Sequence, residues 1–317
     1  MRLVEGLDAL RELDLAAIYG EDSPSSRSVV AVGVFDGVHL GHHRLLHQLL
    51  EMASALQAMP TVVTFANHPD QVLRGDAPPP LCSVPHRLRL LRRAGVLRLV
   101  LLRFEARLRQ MTARGFAEEV LLRGLRARGL LLGYDSAMGK DREGTPARFR
   151  ELGDELGFEV QTGAPFEVSG EPISSTRIRQ AIADGDLAGA RRCLGRFPGA
   201  LGEVVRGDAR GRELGFPTAN LLLQPGALPP EGVYAVEAVV DGETYAAVAN
   251  LGTRPTFPDS GPSLEVHLLD YEGDLYGREL EVSFRQLLRG ERRFDGPDAL
   301  KAQIALDVRA ARRSLQA

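Results

Sequence analysis

Lysine is almost missing from this chain of 317 residues, and arginine supplies nearly all of its positive charge. The two lysines, Lys140 and Lys301, lie outside the Gly-x-x-x-x-Gly-Lys-Ser/Thr pattern that defines a P-loop. The sequence therefore excludes a phosphate-binding loop of that kind. Backbone N–H groups, helix N-termini, arginine, histidine or a metal ion would have to hold any phosphate group.

Cysteine and long apolar runs are also scarce. Cys82 and Cys193 are too few and too far apart for a disulfide framework or a zinc site, so we predict two buried free thiols. No apolar run approaches membrane-spanning length, and the segment 1–8 carries acids where a secretory signal peptide needs an apolar core. These features predict a cytoplasmic protein. A net charge of -3 gives no general attraction to nucleic acid or to anionic membranes.

The apolar periodicity changes once along the chain, and this change predicts two domains. Between residues 28 and 192, short apolar runs alternate with amphipathic stretches, as in βαβ units of a parallel sheet with helices on both faces. After Phe197-Pro198-Gly199 the pattern becomes one of strands and turns, with Asp241-Gly242 as a hairpin signal. We therefore predict an α/β domain followed by a small antiparallel β-barrel.

We place the domain boundary between residues 194 and 195. Residues 1–194 then form the α/β domain, residues 195–317 form the barrel, and a terminal helix over about residues 297–314 covers the barrel. The strands expected in the first domain are 29–34, 61–65, 96–102, 130–133 and 158–162. The strands expected in the barrel are 200–205, 232–240, 244–251, 264–270 and 279–284.

A histidine motif follows the first of these strands. The segment Gly33-Val34-Phe35-Asp36-Gly37-Val38-His39-Leu40-Gly41-His42 puts two histidines between the end of a strand and the start of a helix, where free N–H groups and the helix dipole favour phosphate. His39 and His42 could donate to an α-phosphate as negative charge builds during in-line attack, without acting as nucleophiles. In isolation the motif also fits chance surface histidines or half of a metal site.

A second segment, Ile173-Ser174-Ser175-Thr176-Arg177-Ile178-Arg179, would complete this site. Ser174 or Ser175 can cap the following helix, while Arg177 and Arg179 provide forks of donors suited to phosphate oxygens. An ordinary capped helix with exposed arginines fits this segment equally well. Combined with the histidine motif, it predicts a clamp for a triphosphate.

The barrel half carries a different phosphate signal. Thr218 and Asn220 are separated by one residue, so on an extended segment their oxygens face the same side, as hard ligands for Mg²⁺ should. Gly211 and Gly215, just upstream, permit a loop whose N–H groups approach phosphates.

In this order, and over almost the entire chain, the motifs resemble those of the prokaryotic bifunctional riboflavin kinase/FAD synthetase family. The adenylyltransferase half is matched by Phe35–His42 and by Ile173–Arg177. The kinase half is matched by Gly215–Asn220, Gly232–Tyr234, Asn250–Phe257, Leu264–His267 and Asp274–Gly277. The resemblance implies a Rossmann-like nucleotidyltransferase domain followed by a flavokinase barrel of six strands.

The resemblance also implies the chemistry and the site residues. Riboflavin and ATP would give FMN, and FMN and ATP would then give FAD and pyrophosphate, with Mg²⁺ as cofactor and Glu265 as the base for the ribityl 5′-hydroxyl. Arg289, Glu291 and Phe294 would belong to a flavin-binding loop; without the resemblance they read as a solvated charge run. The nucleotide-binding residues would be Gly33, Phe35, Asp36, Gly41, His68, Asp135, Ser174, Ser175, Thr176, Arg177, Arg179, Gly211 and Gly215.

Three residues depart from the family pattern, all in the first half. Asn67 replaces a proline in Thr64-Phe65-Ala66-Asn67-His68-Pro69, and Ser136 and Met138, beside the retained Asp135, replace aromatic residues. Loss of the aromatics could weaken nucleotide or flavin binding. One alternative is therefore a riboflavin kinase whose first domain has a lost or altered acceptor, since related histidine motifs serve cytidylyltransferases and pantetheine-phosphate adenylyltransferases.

A flavin-sensing regulatory protein is a third alternative. Thr218, Asn220 and Glu265 together argue against it, because a sensor needs neither metal ligands nor a base. The expected partners are the small molecules riboflavin, FMN and ATP, with no nucleic acid and no membrane. The sequence leaves the oligomeric state undetermined.

Overall fold

The structure, a computed structural model, describes residues 1–207, 210–253 and 262–316. It divides into two compact units: the first contains Met1–Pro78 and Arg87–Ile173, and the second contains Pro79–His86 and Ser174–Ala317. Residues 208 and 209 and the part of the kinase motif over residues 254–257 lie outside the described residues. In the described ranges, no helix is long and apolar enough to cross a membrane.

The first unit is built on a parallel sheet of six strands in the order β1-β4-β3-β2-β5-β6. The strands are β1 (Arg2–Glu5), β2 (Ser28–Val32), β3 (Met59–Phe65), β4 (Arg98–Leu102), β5 (Ala127–Gly133) and β6 (Glu159–Gly163). Every residue of β2 and of β4 is buried, as expected when helices cover both faces of a parallel sheet. The predicted α/β class is confirmed. The edge strand β1 was not predicted.

Helices connect these strands, and a small antiparallel hairpin follows β6. The helices are α1 (Leu7–Arg11), α2 (Leu15–Tyr19), α3 (Leu40–Ala55), α4 (Pro69–Leu73), α5 (Val84–Arg93), α6 (Ala106–Arg109), α7 (Ala113–Phe116) and α8 (Pro146–Leu156). A π-helical turn over Ala117–Gly124 continues α7. The hairpin strands are β7 (Glu167–Val168) and β8 (Glu171–Pro172).

The strand order determines where this unit can bind a ligand. From β2 the chain first adds β3 and β4 on one side, and later returns to add β5 on the other side of β2. Open parallel sheets bind ligands outside the carboxyl ends of the strands at such a reversal. The histidine motif follows β2 directly, so it lies at this point of the sheet.

The second unit contains a closed antiparallel barrel in the order β10-β13-β12-β11-β14-β9. Its strands are β9 (Gly199–Val205), β10 (Ala219–Leu223), β11 (Gly232–Val240), β12 (Glu243–Thr253), β13 (Pro262–Leu268) and β14 (Glu279–Arg289). The short helix α11 (Arg210–Glu213) precedes β10, and α12 (Pro297–Gln316) packs on β11, β12 and β14. Asp241 and Gly242 both have positive φ and form the predicted hairpin turn between β11 and β12.

Two helices upstream of the barrel belong to the second unit by their contacts. They are α9 (Ser175–Ala183) and α10 (Leu187–Leu194), and Leu187, only 6% exposed, is part of the barrel core. The segment Pro79–His86 joins the same unit: His86 Nε2 lies 3.4 Å from a carboxylate oxygen of Glu281 on β14. The compact unit therefore begins before residue 195, while the functional boundary there stays a prediction.

Both cysteines are buried thiols that form no disulfide, as predicted. Cys193 lies in α10, and Cys82 lies in the segment that joins the barrel unit. Their burial suits the small apolar character of a thiol.

We expect a fragment that begins at residue 195 to make FMN but to be less stable than one that begins at residue 174. The shorter fragment lacks Leu187, and loss of a buried leucine side chain typically costs about 2–5 kcal/mol. Thermal unfolding of both fragments, followed by circular dichroism, measures the difference. The full chain with Leu187→Ala is the matched control. Equal midpoints for the two fragments would contradict a stabilising role of α10, and a folded but inert fragment would contradict a complete kinase site in the barrel.

Candidate functional site

The turn after β2 has an unusual backbone. Phe35, Gly37 and Val38 have φ values of 52°, 70° and 41°, and a short 3-10 turn spans Asp36–Val38. Left-handed φ values at non-glycine residues cost energy and persist where packing enforces them, often at functional sites. The ring of Phe35, 1% exposed, packs over Gly33, where a Cβ would lie 3.2 Å from it. The turn is thus fixed by packing.

His39 and His42 face each other at the start of α3. Nδ1 of His39 accepts a hydrogen bond from the N–H of His42, and Nδ1 of His42 accepts one from the N–H of His39, both at 3.3 Å. The rings stack with centroids 3.6 Å apart. Because each Nδ1 accepts, the ring proton of each neutral imidazole is on Nε2. The pair therefore caps the helix and carries two N–H donors on the opposite ring edges.

Gly41 permits this close pairing. A Cβ on Gly41 would lie 3.2 Å from two atoms of the His39 ring, which is tighter than nearly all real contacts. Any larger residue there would push against the ring. A glycine is therefore needed between the histidines for steric reasons, in addition to allowing the backbone to approach a phosphate as expected from the sequence.

The side chain of Arg87 binds the backbone at the start of this turn. This residue was not predicted from the sequence. Its side chain is buried, and Nη1 donates to the carbonyl of Val34 at 2.9 Å while Nη2 donates to the carbonyl of Phe65. Thr64 Oγ1 donates to the same Val34 carbonyl at 3.0 Å. Two donors thus fix the carbonyl that precedes the left-handed Phe35. Only the tertiary structure identifies Arg87, because in sequence it is one of several arginines on an amphipathic helix.

A cavity of about 570 Å³ opens beside this turn. The predicted residues Gly33, His68 and Asp135 line it, together with Ser136 and Met138 at the positions that depart from the family pattern. The sheet edge thus brings the ends of β2, β3 and β5 to one opening. These strands meet there because parallel strands end at the same edge.

His68, which lines this cavity, also caps a helix. His68 precedes α4, and its Nδ1 accepts a hydrogen bond from the N–H of Asp70 at 3.2 Å. As at the first pair, an accepting Nδ1 leaves the ring proton of the neutral form on Nε2. The neighbouring Asn67 binds the backbone of another segment. Its side-chain amide donates to the Phe104 carbonyl and accepts from the Phe104 N–H, both at 2.9 Å. Asn67 therefore prolongs the link between β3 and β4.

The serine and arginine segment starts α9 in the second unit. Ser174 is the N-cap, and its hydroxyl accepts from the N–H of Arg177 at 3.2 Å. Ser175 and Thr176 form the first turn, and Arg179 Nε donates to the Pro79 carbonyl at 2.6 Å. The predicted cap is confirmed. The phosphate clamp that combines this segment with the histidines stays a prediction.

Three polar side chains align across the barrel wall. In the registers of β10, β13 and β12, Glu265 lies directly opposite Asn220 on one side and opposite Asn250 on the other. Residues paired in this way project from the same face of the sheet. A carboxylate is thus flanked by two amides. Of these, Asn250 was quoted in a motif but not assigned to the site.

A cavity of about 850 Å³ lies beside this row. Six of the predicted site residues line it: Gly211, Thr218, Glu265, Arg289, Glu291 and Phe294. Asn220 and Gly215 are not among the described residues of this lining. Leu300 and Ile304 of α12 contribute an apolar wall that was not predicted.

Glycines allow the backbone to approach the candidate metal ligands. A Cβ on Gly207 would overlap the amide of Asn220, and a Cβ on Gly211 would lie 3.0 Å from Thr218 Oγ1 and 2.5 Å from the Phe216 carbonyl. The backbone at Gly207 therefore lies close to the Asn220 side chain, and the backbone at Gly211 lies close to the Thr218 side chain. Gly215 has a φ of 85°, which explains a glycine at that turn.

Arg289 is tied to the terminal helix. Its guanidinium makes a paired contact with Asp307 of α12, with Nε and Nη2 at 3.0 and 2.9 Å from Oδ2. Asp307 is 4% exposed, and the charged guanidinium satisfies its buried carboxylate. Arg289 and Arg292 also lie over the ring of Phe294, at 5.6 and 4.7 Å from its centroid. Asp307 was missed because an acid within a helix gives no sequence signal.

A smaller cavity of about 380 Å³ also opens on the barrel, and Thr218 lines both this cavity and the one of about 850 Å³. Arg212, Asp274 and Tyr276 line it, and the Arg206 guanidinium lies 5.6 Å from the Tyr276 ring. Two openings thus meet at one candidate metal ligand.

Known proteins match both halves of the chain. The FAD synthetase family matches residues 21–177, and the riboflavin kinase family matches residues 194–315. The bifunctional riboflavin kinase/FMN adenylyltransferases of Escherichia coli strain K12 and Pseudomonas fluorescens are each 40% identical to the chain, with 98% of this chain and 97% of the relative aligned. The Bacillus subtilis protein of the same description is 33% identical over 294 residues, which is 90% of this chain and 92% of that one.

A solved structure from Streptococcus pneumoniae, described as a macrolide-efflux protein, has the same architecture. Its TM-score is 0.81 at 32% sequence identity, and the alignment covers 98% of this chain and 99% of that one. The fold and the curated relatives thus agree over nearly the full length. The chain belongs to the family of bifunctional riboflavin kinase/FMN adenylyltransferases.

Proposed function

We propose that the chain carries out two ATP-dependent reactions in sequence. The barrel phosphorylates riboflavin to FMN and releases ADP; the parallel-sheet unit then joins the AMP moiety of a second ATP to FMN, giving FAD and pyrophosphate. Family membership over nearly the whole chain supports both activities. The observation that carries the kinase half is the row Asn220, Glu265 and Asn250 beside the large cavity. Because both reactions consume ATP, we also propose a cytoplasmic location.

Glu265 is the proposed base of the kinase reaction. Its carboxylate would accept the proton of the riboflavin 5′-hydroxyl while the hydroxyl oxygen attacks the γ-phosphorus of ATP. The bond from the γ-phosphorus to its bridging oxygen breaks, and ADP leaves. The amides of Asn220 and Asn250, directly opposite Glu265 in the sheet, are placed where they would donate hydrogen bonds to the carboxylate.

We assign the larger barrel cavity to the flavin and the smaller one to the nucleotide. Leu300, Ile304 and Phe294 give the larger cavity an apolar and aromatic lining that suits a flat ring system. Arg212 and Tyr276 give the smaller cavity a phosphate partner and an aromatic surface. Since Thr218 lines both, the transferred phosphoryl group would meet the hydroxyl there.

Thr218 and Asn220 are the residues that would hold Mg²⁺. Both offer oxygen donors, which Mg²⁺ prefers, and Mg²⁺ commonly binds few protein groups together with water and substrate phosphates. The fit is supported by Gly207 and Gly211, where a Cβ would fill the space against these two side chains. When bound, the ion neutralises charge on the phosphates of ATP.

His39 and His42 are the proposed donors of the adenylyl transfer. Their Nε2–H groups, at the N-terminus of α3, would bind the α-phosphate as its negative charge increases. The FMN phosphate oxygen attacks the α-phosphorus, and pyrophosphate leaves. Phe35, Asp36 and Gly41 shape the turn that presents the pair. The other residues proposed to bind this ATP are Gly33, His68 and Asp135 at the cavity, and Ser174, Ser175, Thr176, Arg177 and Arg179 as the clamp. Gly211 and Gly215 stay proposed nucleotide-binding residues of the barrel.

One incubation tests the whole assignment. Purified protein is mixed with riboflavin, ATP and Mg²⁺, and chromatography resolves riboflavin, FMN and FAD. We expect FMN first and FAD later. FMN alone would select the kinase-only alternative, for which the observation is the presence of Ser136 and Met138 in the first cavity. If neither FMN nor FAD is formed, the proposed function is wrong.

Replacement of Glu265 by Gln should abolish most of the kinase activity. The strand and its pairs remain, but the proton acceptor is lost, and loss of a general base lowers rates by roughly a hundred- to ten-thousand-fold. FAD formation from supplied FMN should continue. Glu243→Gln, on an exposed position of β12, is the matched control. An equal decrease of both activities would point to misfolding instead of base loss.

Replacement of His39 and His42 by Asn should stop FAD synthesis while FMN accumulates. Asn can still cap α3, but it lacks the Nε2–H donor, and loss of one such donor costs about 3 kcal/mol of transition-state stabilisation. Each single variant should therefore slow FAD formation on the order of a hundredfold. His47→Asn, whose side chain is 64% exposed, is the control.

Two results would contradict this role of the histidines. Unchanged FAD synthesis in the double variant would remove them from the site. A covalent protein–AMP adduct after incubation with ATP alone would replace direct transfer by a two-step mechanism.

A further inference from the structure

The side chain of His267 makes one hydrogen bond to the described part of the chain, beside the proposed kinase site. It lies two residues after Glu265 on β13, so both side chains project from the same face of the strand. Its Nδ1 is 2.8 Å from the carbonyl oxygen of Pro217, and the ring lines the larger cavity. Pro217 directly precedes Thr218. The imidazole thus contacts the segment that carries a proposed metal ligand.

The segment Pro217–Thr218 lies outside the hydrogen-bonded pairing of β10 with β13, so that pairing does not hold its backbone. The pairing of β10 with β13 begins at Ala219, opposite Val266. Pro217 has no N–H group and cannot donate to a ladder. Continuing the register would bring Thr218 level with His267. The side chain of His267 therefore supplies, at Pro217, a link between the two strands where the ladder with β13 has ended.

The bond also defines the state of the ring. A carbonyl oxygen only accepts, so Nδ1 of His267 must carry the proton. The ring of Phe216 meets the imidazole edge to face, with centroids 5.6 Å apart and an interplanar angle of 87°. Contacts on two sides thus fix the ring orientation, and residues 216 and 217 are both held by the same side chain.

We propose that His267 is a positioning residue for riboflavin phosphorylation: through the Pro217 carbonyl it fixes the backbone of Thr218, and so the side-chain oxygen at the junction of the two barrel cavities. The proposal rests on the proposed role of Thr218 in holding Mg²⁺. The group that acts is the Nδ1–H donor; Nε2 and the charge of the ring are not required.

Side-chain geometry provides a sharp test. The amide nitrogen of Asn can take the place of Nδ1, whereas that of Gln takes the place of Nε2, and Phe keeps the ring shape without a donor. The variants His267→Asn, His267→Gln and His267→Phe are made in the full chain, and initial rates of FMN formation are measured across a Mg²⁺ titration. FAD formation from supplied FMN and the thermal midpoint are measured for each.

We expect His267→Asn to keep a rate and a Mg²⁺ requirement close to those of the parent chain. His267→Gln and His267→Phe should lose roughly tenfold in rate, the equivalent of one hydrogen bond, and should need more Mg²⁺ for half of the maximal rate. FAD formation from FMN should be unchanged in all three. His47→Gln, on the exposed face of α3, is the matched control.

Several outcomes would overturn the proposal. One is an equal defect in the Asn and Gln variants, and another is a Gln or Phe variant that behaves like the parent chain. Thr218→Ala separates this failure from that of the metal assignment: if its Mg²⁺ dependence is unchanged, the role of Thr218 is wrong, and the proposal for His267 falls with it. If Thr218→Ala raises the Mg²⁺ requirement but His267→Gln does not, only the positioning role is wrong.

Discussion

In each unit, side-chain donors bind the backbone carbonyl that comes just before a segment proposed to act on phosphate. In the parallel-sheet unit, Arg87 and Thr64 donate to the Val34 carbonyl at the start of the left-handed turn that leads to the histidines. In the barrel, His267 donates to the Pro217 carbonyl just before Thr218. At both places the chain leaves regular strand pairing, so backbone groups there need partners from elsewhere. These donors satisfy the carbonyl groups that precede the residues proposed to act on phosphate.

Much of this fold could be predicted from the sequence, and the failures have physical causes. Helix α9 and the turn at Asp241-Gly242 were predicted at their observed positions, because a capping serine and an Asp-Gly pair act locally. Strand β1 was missed because it is short, charged at both ends and at the sheet edge. Strand β10 was recognised only as an extended segment. The membership of α10 in the barrel unit depends on burial of Leu187, which no local pattern reveals.

The candidate sites divide in the same way. Residues carried by contiguous motifs, such as His39, His42 and Thr218, could be named from the sequence. Arg87 and Asp307 could not, since each is a charged residue on a helix whose burial arises from packing. The three departures from the family pattern also differ in kind. Asn67 stabilises the fold through its two hydrogen bonds to the backbone of Phe104. Ser136 and Met138, in contrast, line the cavity itself.

The segment Pro79–His86 gives the barrel unit a discontinuous chain, with consequences for its biosynthesis. A ribosome releases the N-terminal part first, and domains generally fold as units when their residues have emerged. Pro79–His86 therefore emerges long before its partners, including Glu281 on β14. The flanking parallel sheet can assemble around its own strands, and Arg179 can already contact Pro79, but the contact of His86 with Glu281 has to wait for the last strand of the barrel. Closure of the barrel unit is thus a late event, and translation that stops before residue 281 leaves Pro79–His86 without that partner.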